Sequence, residues 1–281
     1  MDVLTRLVGQ GLSERLRQPV LIDNKPGGST AIGTDALAKS PADGYTLMMG
    51  TVSTHAMNPA IATSLPFDAI ADFSPVSIVA SMPMMLVVHP SSNISSVKDL
   101  IALSKSSKDG LSYGSAGAGT SNHFAAELFK SMSGLDAIHV PYKGMAPAQL
   151  DLMGGRLTMM FDTTMTAMPQ VEKGRMKAIA ITTPERAPFA PSLPTVAESG
   201  LPGYAMDVWF GVFAPARTPG GIVLKLNGEI REIMKAPEVT QRLKALGALS
   251  KTNTPTEFSA FVRDEANKWK KIARDANITA N

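Results

Sequence analysis

The sequence predicts an α/β fold in which helices cover both faces of mostly parallel sheets. Short apolar runs alternate with helical patterns along most of the chain, which is typical of this class. The runs are apolar throughout instead of alternating with polar residues, as expected for strands that are buried on both faces. From Thr218 onward only helical patterns follow. A length of 281 residues allows one large or two moderate domains.

The strand candidates are short runs rich in apolar residues. In chain order they are PVLID (19–23), YTLMMGT (45–51), MMLVVHP (84–90), LSYGS (111–115), AIHVPY (137–142), LTMMFD (157–162), KAIAITT (177–183) and DVWFGVFAP (207–215). Helical patterns separate many of these runs, which is the connection that neighbouring parallel strands need.

The helical patterns are recognised by apolar residues three or four positions apart. The chain opens on such a pattern, with Asp2 as its N-cap. The tail carries two further stripes, formed by Ile222, Leu226, Ile230 and Ile233 and then by Phe258, Phe261, Val262, Trp269 and Ile272. Because the strands all lie earlier in the chain, the tail must pack back onto an earlier sheet. This arrangement predicts a discontinuous domain.

Composition excludes several classes of function. A net charge of +3 with only 6% aromatic residues gives no basic stripe with stacking partners, so we predict no nucleic-acid partner. The absence of cysteine excludes disulfides and zinc–thiolate sites, and the four histidines lack metal-ligand spacing, so we predict no metal and no cofactor. The longest apolar run, residues 78–88, is interrupted by Pro83 and is too short to span a membrane.

A glycine-rich loop lies within YGSAGAGTSNHFAAELFK, residues 113–130. Gly114 and Gly119 have the outer spacing of a P-loop, but Thr120 stands where the lysine is required. A dinucleotide fingerprint that starts at Gly117 fails because Asn122 occupies its third glycine position. The loop therefore suits a smaller anion that is held by backbone N–H groups at a helix N-terminus.

Several long segments together resemble the receptors of tripartite tricarboxylate transporters, the Bug family. They are NKPGGSTAIGTDALAKSPADGYTLMMGT, LFKSMSGLDAIHVPYKGMAPAQLDLMGGRL, MMFDTTMTAMP, LPTVAESGLPGY and WFGVFAPARTP, and they occur in the order typical of that family. The resemblance implies a periplasmic solute receptor of type II architecture, with two α/β lobes joined by two crossing strands. On this basis we expect lobe 1 to comprise residues 1–88 and 212–281, and lobe 2 residues 89–211.

The same resemblance implies a function without catalysis. Such a receptor is monomeric, closes on a small carboxylate and delivers it to the membrane permease subunits of the transporter. The carboxylate classes that remain open are di- and tricarboxylates, amino acids and aromatic acids. Family members have a signal peptide, a first strand and a glycine-containing loop ahead of the helix that begins here at Asp2. We therefore expect lobe 1 to lack its first strand.

Polar residues that follow strand candidates are the expected ligand contacts in lobe 1. Open α/β sheets bind ligands at the C-terminal ends of their strands. The residues in these positions are Gly28, Ser29, Thr51 and Ser53. For Gly28 the alternative is a turn that requires positive φ and no ligand.

In lobe 2 the glycine loop and the end of one strand supply the candidates. Gly119, Thr120 and Ser121 would offer N–H groups and hydroxyls to a carboxylate, or Thr120 and Ser121 would only cap the helix. Asp162 would meet a ligand amino group or orient neighbouring donors, and its alternative is also a helix N-cap. The sequence leaves open whether further polar residues contact a ligand or only pack and cap locally: His55, Asn58, Asn122, His123, Tyr142 and Lys143.

A serine hydrolase is the competing hypothesis. The segment GLSYG, residues 110–114, matches the G-x-S-x-G nucleophile elbow with Ser112 at its centre. An elbow needs its serine at a sharp turn between a strand and a helix, whereas Ser112 lies inside a strand candidate. The last histidine, His139, also follows too closely in sequence for the usual catalytic order.

Overall fold

The computed structural model describes residues 1–25, 27, 30–107 and 110–279. The chain forms two compact units, and each unit combines separate stretches of sequence. The first unit contains Met1–Ser81, Trp209–Ala245 and Leu249–Lys271, and the second contains Met82–Val208, Leu246–Ala248 and Ile272–Asn281.

Helices and strands alternate along both units. The strands are β1 (Met48–Thr51), β2 (Phe73–Val88), β3 (Ser112–Ser115), β4 (Ile138–Pro141), β5 (Met159–Thr163), β6 (Lys177–Ile181), β7 (Asp207–Pro215) and β8 (Leu249–Ser250). The helices are α1 (Asp2–Leu16), α2 (Ala31–Ala38), α3 (Asn58–Ile61), α4 (Val97–Ser106), α5 (Ser121–Ser133), α6 (Met145–Met153), α7 (Thr164–Glu172), α8 (Gly220–Lys235), α9 (Pro237–Ala245) and α10 (Pro255–Asp275). A π-helical turn, Ser53–Met57, precedes α3.

In the first unit, β7 lies between β1 and β2, and β8 pairs with β2 at Ala80 and Ser81, in the middle of that strand. β1 and β7 are antiparallel, and their register places Gly50 opposite Gly211. A Cβ on Gly50 would lie 2.7 Å from the Phe213 ring, and one on Gly211 would lie 2.3 Å from the Phe258 ring. The paired glycines therefore make room for aromatic rings to pack directly on the strand backbone.

In the second unit the strand order is β6, β2, β5, β3 and β4. β3 is parallel to both β4 and β5, so these three strands end at the same edge of the sheet. The second half of β2 runs antiparallel to β5 and β6. The loop that follows β3 and the turn that follows β5 therefore lie side by side at one edge.

The sheets are mixed, whereas the sequence predicts mostly parallel ones. The apolar runs indicated burial on both faces, and this holds for β2, in which Val79, Ala80 and Leu86 are fully buried. Helices that cover both faces make a strand apolar whatever its direction. The continuous apolar pattern therefore predicts burial correctly but does not determine strand direction.

Other predicted elements differ in position. Residues 19–23 do not form a strand, and Leu21 in that run is 90% exposed. β2 begins at Phe73 instead of residue 84, and Pro83 lies inside it. The short strand β8 in the tail shows that the expectation of no strand after Thr218 is wrong. Because β2 continues from one unit into the other, the units change at Ser81/Met82 and Val208/Trp209, whereas the sequence placed the boundaries at 88/89 and 211/212.

An aromatic cluster forms the core between β7 and α10. The Trp209 ring meets Phe258 and Phe261 edge to face, at centroid distances of 5.9 and 5.7 Å. The indole N–H groups of Trp209 and Trp269 both donate to the same carboxylate oxygen, Oε2 of Glu265, over 3.0 and 2.9 Å. This carboxylate therefore satisfies two buried donors that apolar packing alone would leave without a partner.

Gly211→Ala is expected to lower the free energy of unfolding by about 1–2 kcal/mol. The added methyl group would overlap the Phe258 ring and lie 3.1 Å from the Ser77 carbonyl oxygen on the neighbouring strand. Urea titration followed by circular dichroism measures the loss. Gly220→Ala is the matched control, because nothing lies within 4 Å of a Cβ at that position. Equal stability of the two variants would contradict the close packing described for Gly211.

Candidate functional site

In the first unit, the candidates Thr51 and Ser53 lie at the end of β1. Thr51 is the last residue of the strand, and half-buried Ser53 begins the π-helical turn. The Thr54 hydroxyl accepts a hydrogen bond from the Thr51 N–H over 2.7 Å and lies 2.7 Å from Nδ1 of His55. The side chain of Thr54 therefore fixes the turn that carries both candidates.

The other two candidates of this unit, Gly28 and Ser29, lie outside the described residues. The residue that follows them, Thr30, precedes α2 and has a φ of 80°, which is rare for a residue with a side chain. Its hydroxyl accepts a hydrogen bond from the Asn58 amide over 3.3 Å. Thr30 was not among the predicted contacts, although it belongs to the same small polar segment.

In the second unit, the candidates Gly119, Thr120 and Ser121 lie where the β3–α5 loop enters the helix. Ser121 is the first residue of α5, and Thr120 is the residue that precedes it, with extended backbone angles. The Thr120 hydroxyl donates back to the Gly117 carbonyl oxygen over 2.7 Å and does not cap the helix. Thr120 makes no side-chain cap hydrogen bond, so the N–H groups in the first turn of α5 do not have this side chain as an acceptor.

Glycine allows this loop its backbone shape. Gly117 has a φ of 130° and Gly119 a φ of 74°, and both values are unfavourable for residues with side chains. A Cβ at Gly117 would also lie 3.3 Å from the Tyr142 carbonyl oxygen. The loop therefore brings the backbone of small residues to the start of α5.

Asp162 lies next to this loop. It is fully buried near the end of β5, and the Asn122 amide of α5 donates to the carbonyl oxygen of its neighbour Phe161 over 2.8 Å. The residue that precedes α7 is Thr163, so Asp162 is not the N-cap of that helix. Its carboxylate instead accepts hydrogen bonds from the Gln149 amide and the Thr166 hydroxyl.

Burial raises the pKa of Asp162, while the hydrogen bonds from Thr166, Gln149 and the Thr163 backbone act in the opposite direction. The interaction with Gln149 was not predicted, because this residue comes from a separate helix and no local pattern connects it with a strand end. Thr166 follows Asp162 by four residues, and this spacing was the one feature of the sequence that could have indicated their hydrogen bond. Asp162 thus holds an amide and a hydroxyl in fixed orientations at the edge of the sheet.

Two histidines, His123 and His139, lie next to the loop, and their contact with each other was not predicted from the sequence. The Gly119 N–H donates to Nδ1 of His123 over 3.1 Å. The His123 and His139 rings are stacked, with centroids 3.9 Å apart and an interplanar angle of 10°. The Tyr113 ring continues the stack at 4.8 Å from His139. Of the remaining polar candidates, Tyr142 donates to Asp151, and Lys143 is exposed.

Ser112 does not form a nucleophile elbow. It is the first residue of β3, which continues through Ser115, and its N–H donates to the Thr158 hydroxyl over 3.1 Å. It therefore lies within a ladder and not at a turn between a strand and a helix. The serine of this strand that contacts a histidine is Ser115, whose Oγ is 2.7 Å from Nε2 of His139.

Neither a metal site nor a membrane span is found in the part of the chain that the structure describes. No group of three or more histidine, aspartate or glutamate side chains there is arranged to hold a metal ion. In residues 1–25, 27, 30–107 and 110–279, no helix combines the length and apolar character that crossing a bilayer requires.

Comparison with known proteins identifies the family. Residues 4–278 match the family described as "Tripartite tricarboxylate transporter family receptor". BugT from Bordetella pertussis is 34% identical over 275 residues, which cover 98% of this chain and 84% of BugT. The resemblance stated from the sequence motifs is therefore confirmed.

Solved structures agree with this assignment. R. palustris Rpa4515 with adipate is 38% identical, with a TM-score of 0.86 and coverage of 99% of this chain and 93% of that protein. MatC from Rhodopseudomonas palustris with bound malate is 30% identical, with a TM-score of 0.81 and coverage of 96% and 93%. The predicted α/β fold of periplasmic binding proteins is confirmed. The chain belongs to the tripartite tricarboxylate transporter receptor family, whose members are solute receptors and not enzymes.

Proposed function

We propose that this receptor binds a dicarboxylate and delivers it to the membrane permease of a tripartite tricarboxylate transporter. The observation that carries the proposal is the uncapped N-terminus of α5 beside the loop from Gly117 to Ser121. Similar proteins bind adipate and malate, which supports a dicarboxylate over the amino acids and aromatic acids that the sequence left open. We also propose that the receptor is monomeric and acts in the periplasm, as membership of the family suggests.

The start of α5 has the chemistry that one ligand carboxylate needs. The N–H groups of the first helical turn point along the axis, and the helix dipole adds partial positive charge at the same end. Thr120 has an extended backbone, and Thr120 and Ser121 are half-buried residues with small side chains. Such sites hold anions without a lysine or arginine, which fits a loop that contains neither.

The remaining candidates have supporting roles in this proposal. Asp162 orients Gln149 and Thr166 as ligand donors and does not itself contact a ligand carboxylate, because two carboxylates would repel each other. In the first unit we assign ligand contact to Thr51 and Ser53 together with two residues outside the described part of the chain, Gly28 and Ser29.

A thermal-shift screen tests the proposal directly. Adipate, malate, a tricarboxylate, an amino acid and an aromatic acid are compared on the purified chain. A ligand at 100 times its Kd adds about 2.7 kcal/mol of stability, which is a readily measured shift in melting temperature. We expect the dicarboxylates to give the largest shifts. If none of these acids raises the melting temperature, the proposed function is wrong.

Ser121→Asp is expected to weaken dicarboxylate binding at least about tenfold while leaving the fold intact. Aspartate in the first turn is favourable for a helix, so α5 should persist. Its charge would occupy the position proposed for the ligand carboxylate. Isothermal titration calorimetry with adipate and malate measures affinity, and circular dichroism checks the helix.

The matched control for this variant is Ser121→Asn, which has nearly the same size without the charge. We expect it to bind within about threefold of the parent, since an amide also fits at the start of a helix. If Ser121→Asp and Ser121→Asn bind equally, the carboxylate does not lie at this helix terminus.

A further inference from the structure

The imidazole of His123 forms a hydrogen bond with the loop that precedes α5. The Gly119 N–H donates to Nδ1 of His123 over 3.1 Å, and both residues are buried. This hydrogen bond requires an unprotonated Nδ1, so the neutral ring carries its proton on Nε2. Because Gly119 immediately precedes Thr120, the imidazole fixes the peptide that leads into the first turn of α5.

The second histidine supports the other glycine of the loop. Nε2 of His139 lies 2.7 Å from the Ser115 hydroxyl, which accepts a hydrogen bond from the Gly117 N–H over 3.1 Å. The rings of His123 and His139 are stacked 3.9 Å apart. The two imidazoles thus support the loop together, because His123 contacts Gly119 directly and His139 contacts Gly117 through the Ser115 hydroxyl.

The charged groups around the pair come from α5 and β3. On α5, Glu127 accepts a hydrogen bond from Lys130 over 2.8 Å. From β3, the Tyr113 phenol donates to the same Glu127 carboxylate. The Lys130 ammonium also lies 5.4 Å from the centre of the Tyr113 ring. Among the described residues, the carboxylate next to the pair is that of Glu127, and it is already bound to a cation and a phenol.

Protonation of the pair is opposed for two reasons. Burial lowers the pKa of His123, with Glu127 acting against this effect and Lys130 adding to it. Burial and then the charge of His123 lower the pKa of His139 to about 4, with Glu127 acting in the opposite direction and Lys130 adding to the decrease. Two positively charged rings at stacking distance would also repel each other. The Gly119 contact therefore belongs to the neutral His123 ring, and burial favours the neutral form of both histidines.

We infer that His123 is a positioning residue for ligand binding: its neutral imidazole holds Gly119, and protonation of the His123–His139 pair releases the loop and weakens binding. This inference rests on the proposed function, because it assumes that the start of α5 receives the ligand carboxylate. When Nδ1 of His123 is protonated, it becomes an N–H donor that faces the Gly119 N–H, and the hydrogen bond between them is lost. It then loses the fixed peptide ahead of the helix, and ligand affinity falls with pH.

Two substitutions of His123 separate its roles. Asparagine places an amide oxygen close to the position of Nδ1 and does not titrate, whereas leucine fills the space without an acceptor. At pH 7 we expect His123→Asn to bind adipate and malate within about twofold of the parent, and His123→Leu to bind at least about fivefold more weakly. His89→Asn is the control, because His89 contacts the Ser91 N–H and neither glycine of the loop.

The pH profile distinguishes positioning from a merely structural role. Between pH 7 and pH 4, a range that reaches the lowered pKa of His139, the parent should lose at least about twofold more affinity than His123→Asn. The titration of the ligand itself affects both proteins equally and cancels in this comparison. Amide hydrogen exchange without ligand adds a direct measure of the contact, since the Gly119 amide should exchange faster in His123→Leu than in the parent.

The outcomes separate this inference from the proposed function. A parent protein that binds neither dicarboxylate overturns the proposed function and, with it, the inference. A parent that binds, with His123→Leu equally tight at pH 7, overturns the inference alone. Identical pH profiles for the parent and His123→Asn also overturn it, because the titrating imidazole would then have no effect on the ligand.

Discussion

Glu265→Ala is expected to lower the free energy of unfolding by about 4 kcal/mol. Its carboxylate accepts hydrogen bonds from the indole N–H groups of Trp209 and Trp269, both almost fully buried. A hydrogen bond to a charged group contributes about 1.5–3 kcal/mol, and two such bonds end on one oxygen here. Removing this acceptor also leaves a space beside two large rings, which adds the cost of a cavity. Urea titration followed by circular dichroism measures the change.

Two variants show whether the shared carboxylate causes this loss. Glu265→Gln retains one acceptor oxygen without the charge and should lose less than half as much stability as Glu265→Ala. The neighbouring Asp264 is exposed, so Asp264→Ala should change stability by less than about 0.5 kcal/mol. If Glu265→Ala were as mild as Asp264→Ala, the two indole hydrogen bonds would contribute little to the core.

Acidification from pH 7 to pH 5 is expected to lower the free energy of unfolding by about 2 kcal/mol through His55 alone. The ring is fully buried, stacked on Phe213 with centroids 3.8 Å apart, and its Nε2 has no hydrogen-bond partner among the described residues. Burial lowers the pKa of His55 from 6.5 to about 3. Between these values the unfolded chain binds a proton that the folded ring does not accept, so stability falls as the pH falls.

His55→Phe isolates this contribution. Phenylalanine preserves an aromatic ring on Phe213 but cannot titrate. Urea titrations of both proteins at pH 7 and pH 5 give the pH-dependent loss for each. The loss in the parent should exceed that in the variant by about 2 kcal/mol, while contributions from other groups cancel in the difference. Equal losses would show that protonation of His55 does not affect folding in this range.

The sequence predicted elements whose local pattern agrees with their environment. The run at residues 207–215 forms β7 with the same bounds, because its aromatic residues and Val212 are buried and Pro215 ends it. The run at 19–23 has similar composition but is not covered, as the exposure of Leu21 shows. Apolar residues predict a strand only when other elements cover them, and local sequence contains no information about that cover.

The parts of the candidate site that are formed by residues adjacent in sequence could be predicted. The segment Gly119–Ser121 could be recognised because a small loop and a helix start are adjacent in sequence. The contact between Gln149 and Asp162 could not, since it depends on how α6 packs beside β5. The histidine stack depends likewise on register, because the parallel pairing of β3 with β4 sets His139 opposite Tyr113. No spacing rule in the sequence specifies that register.

The two tryptophans that share Glu265 also determine which part of the protein intrinsic fluorescence monitors. Trp209 and Trp269 are the only tryptophans in the chain, and both belong to the first unit. Indole fluorescence therefore originates in that unit alone, whereas the far-ultraviolet circular dichroism signal includes the helices of both units. Unfolding curves recorded by the two signals would coincide if the units unfold together. A separation between the curves would reveal which unit unfolds first.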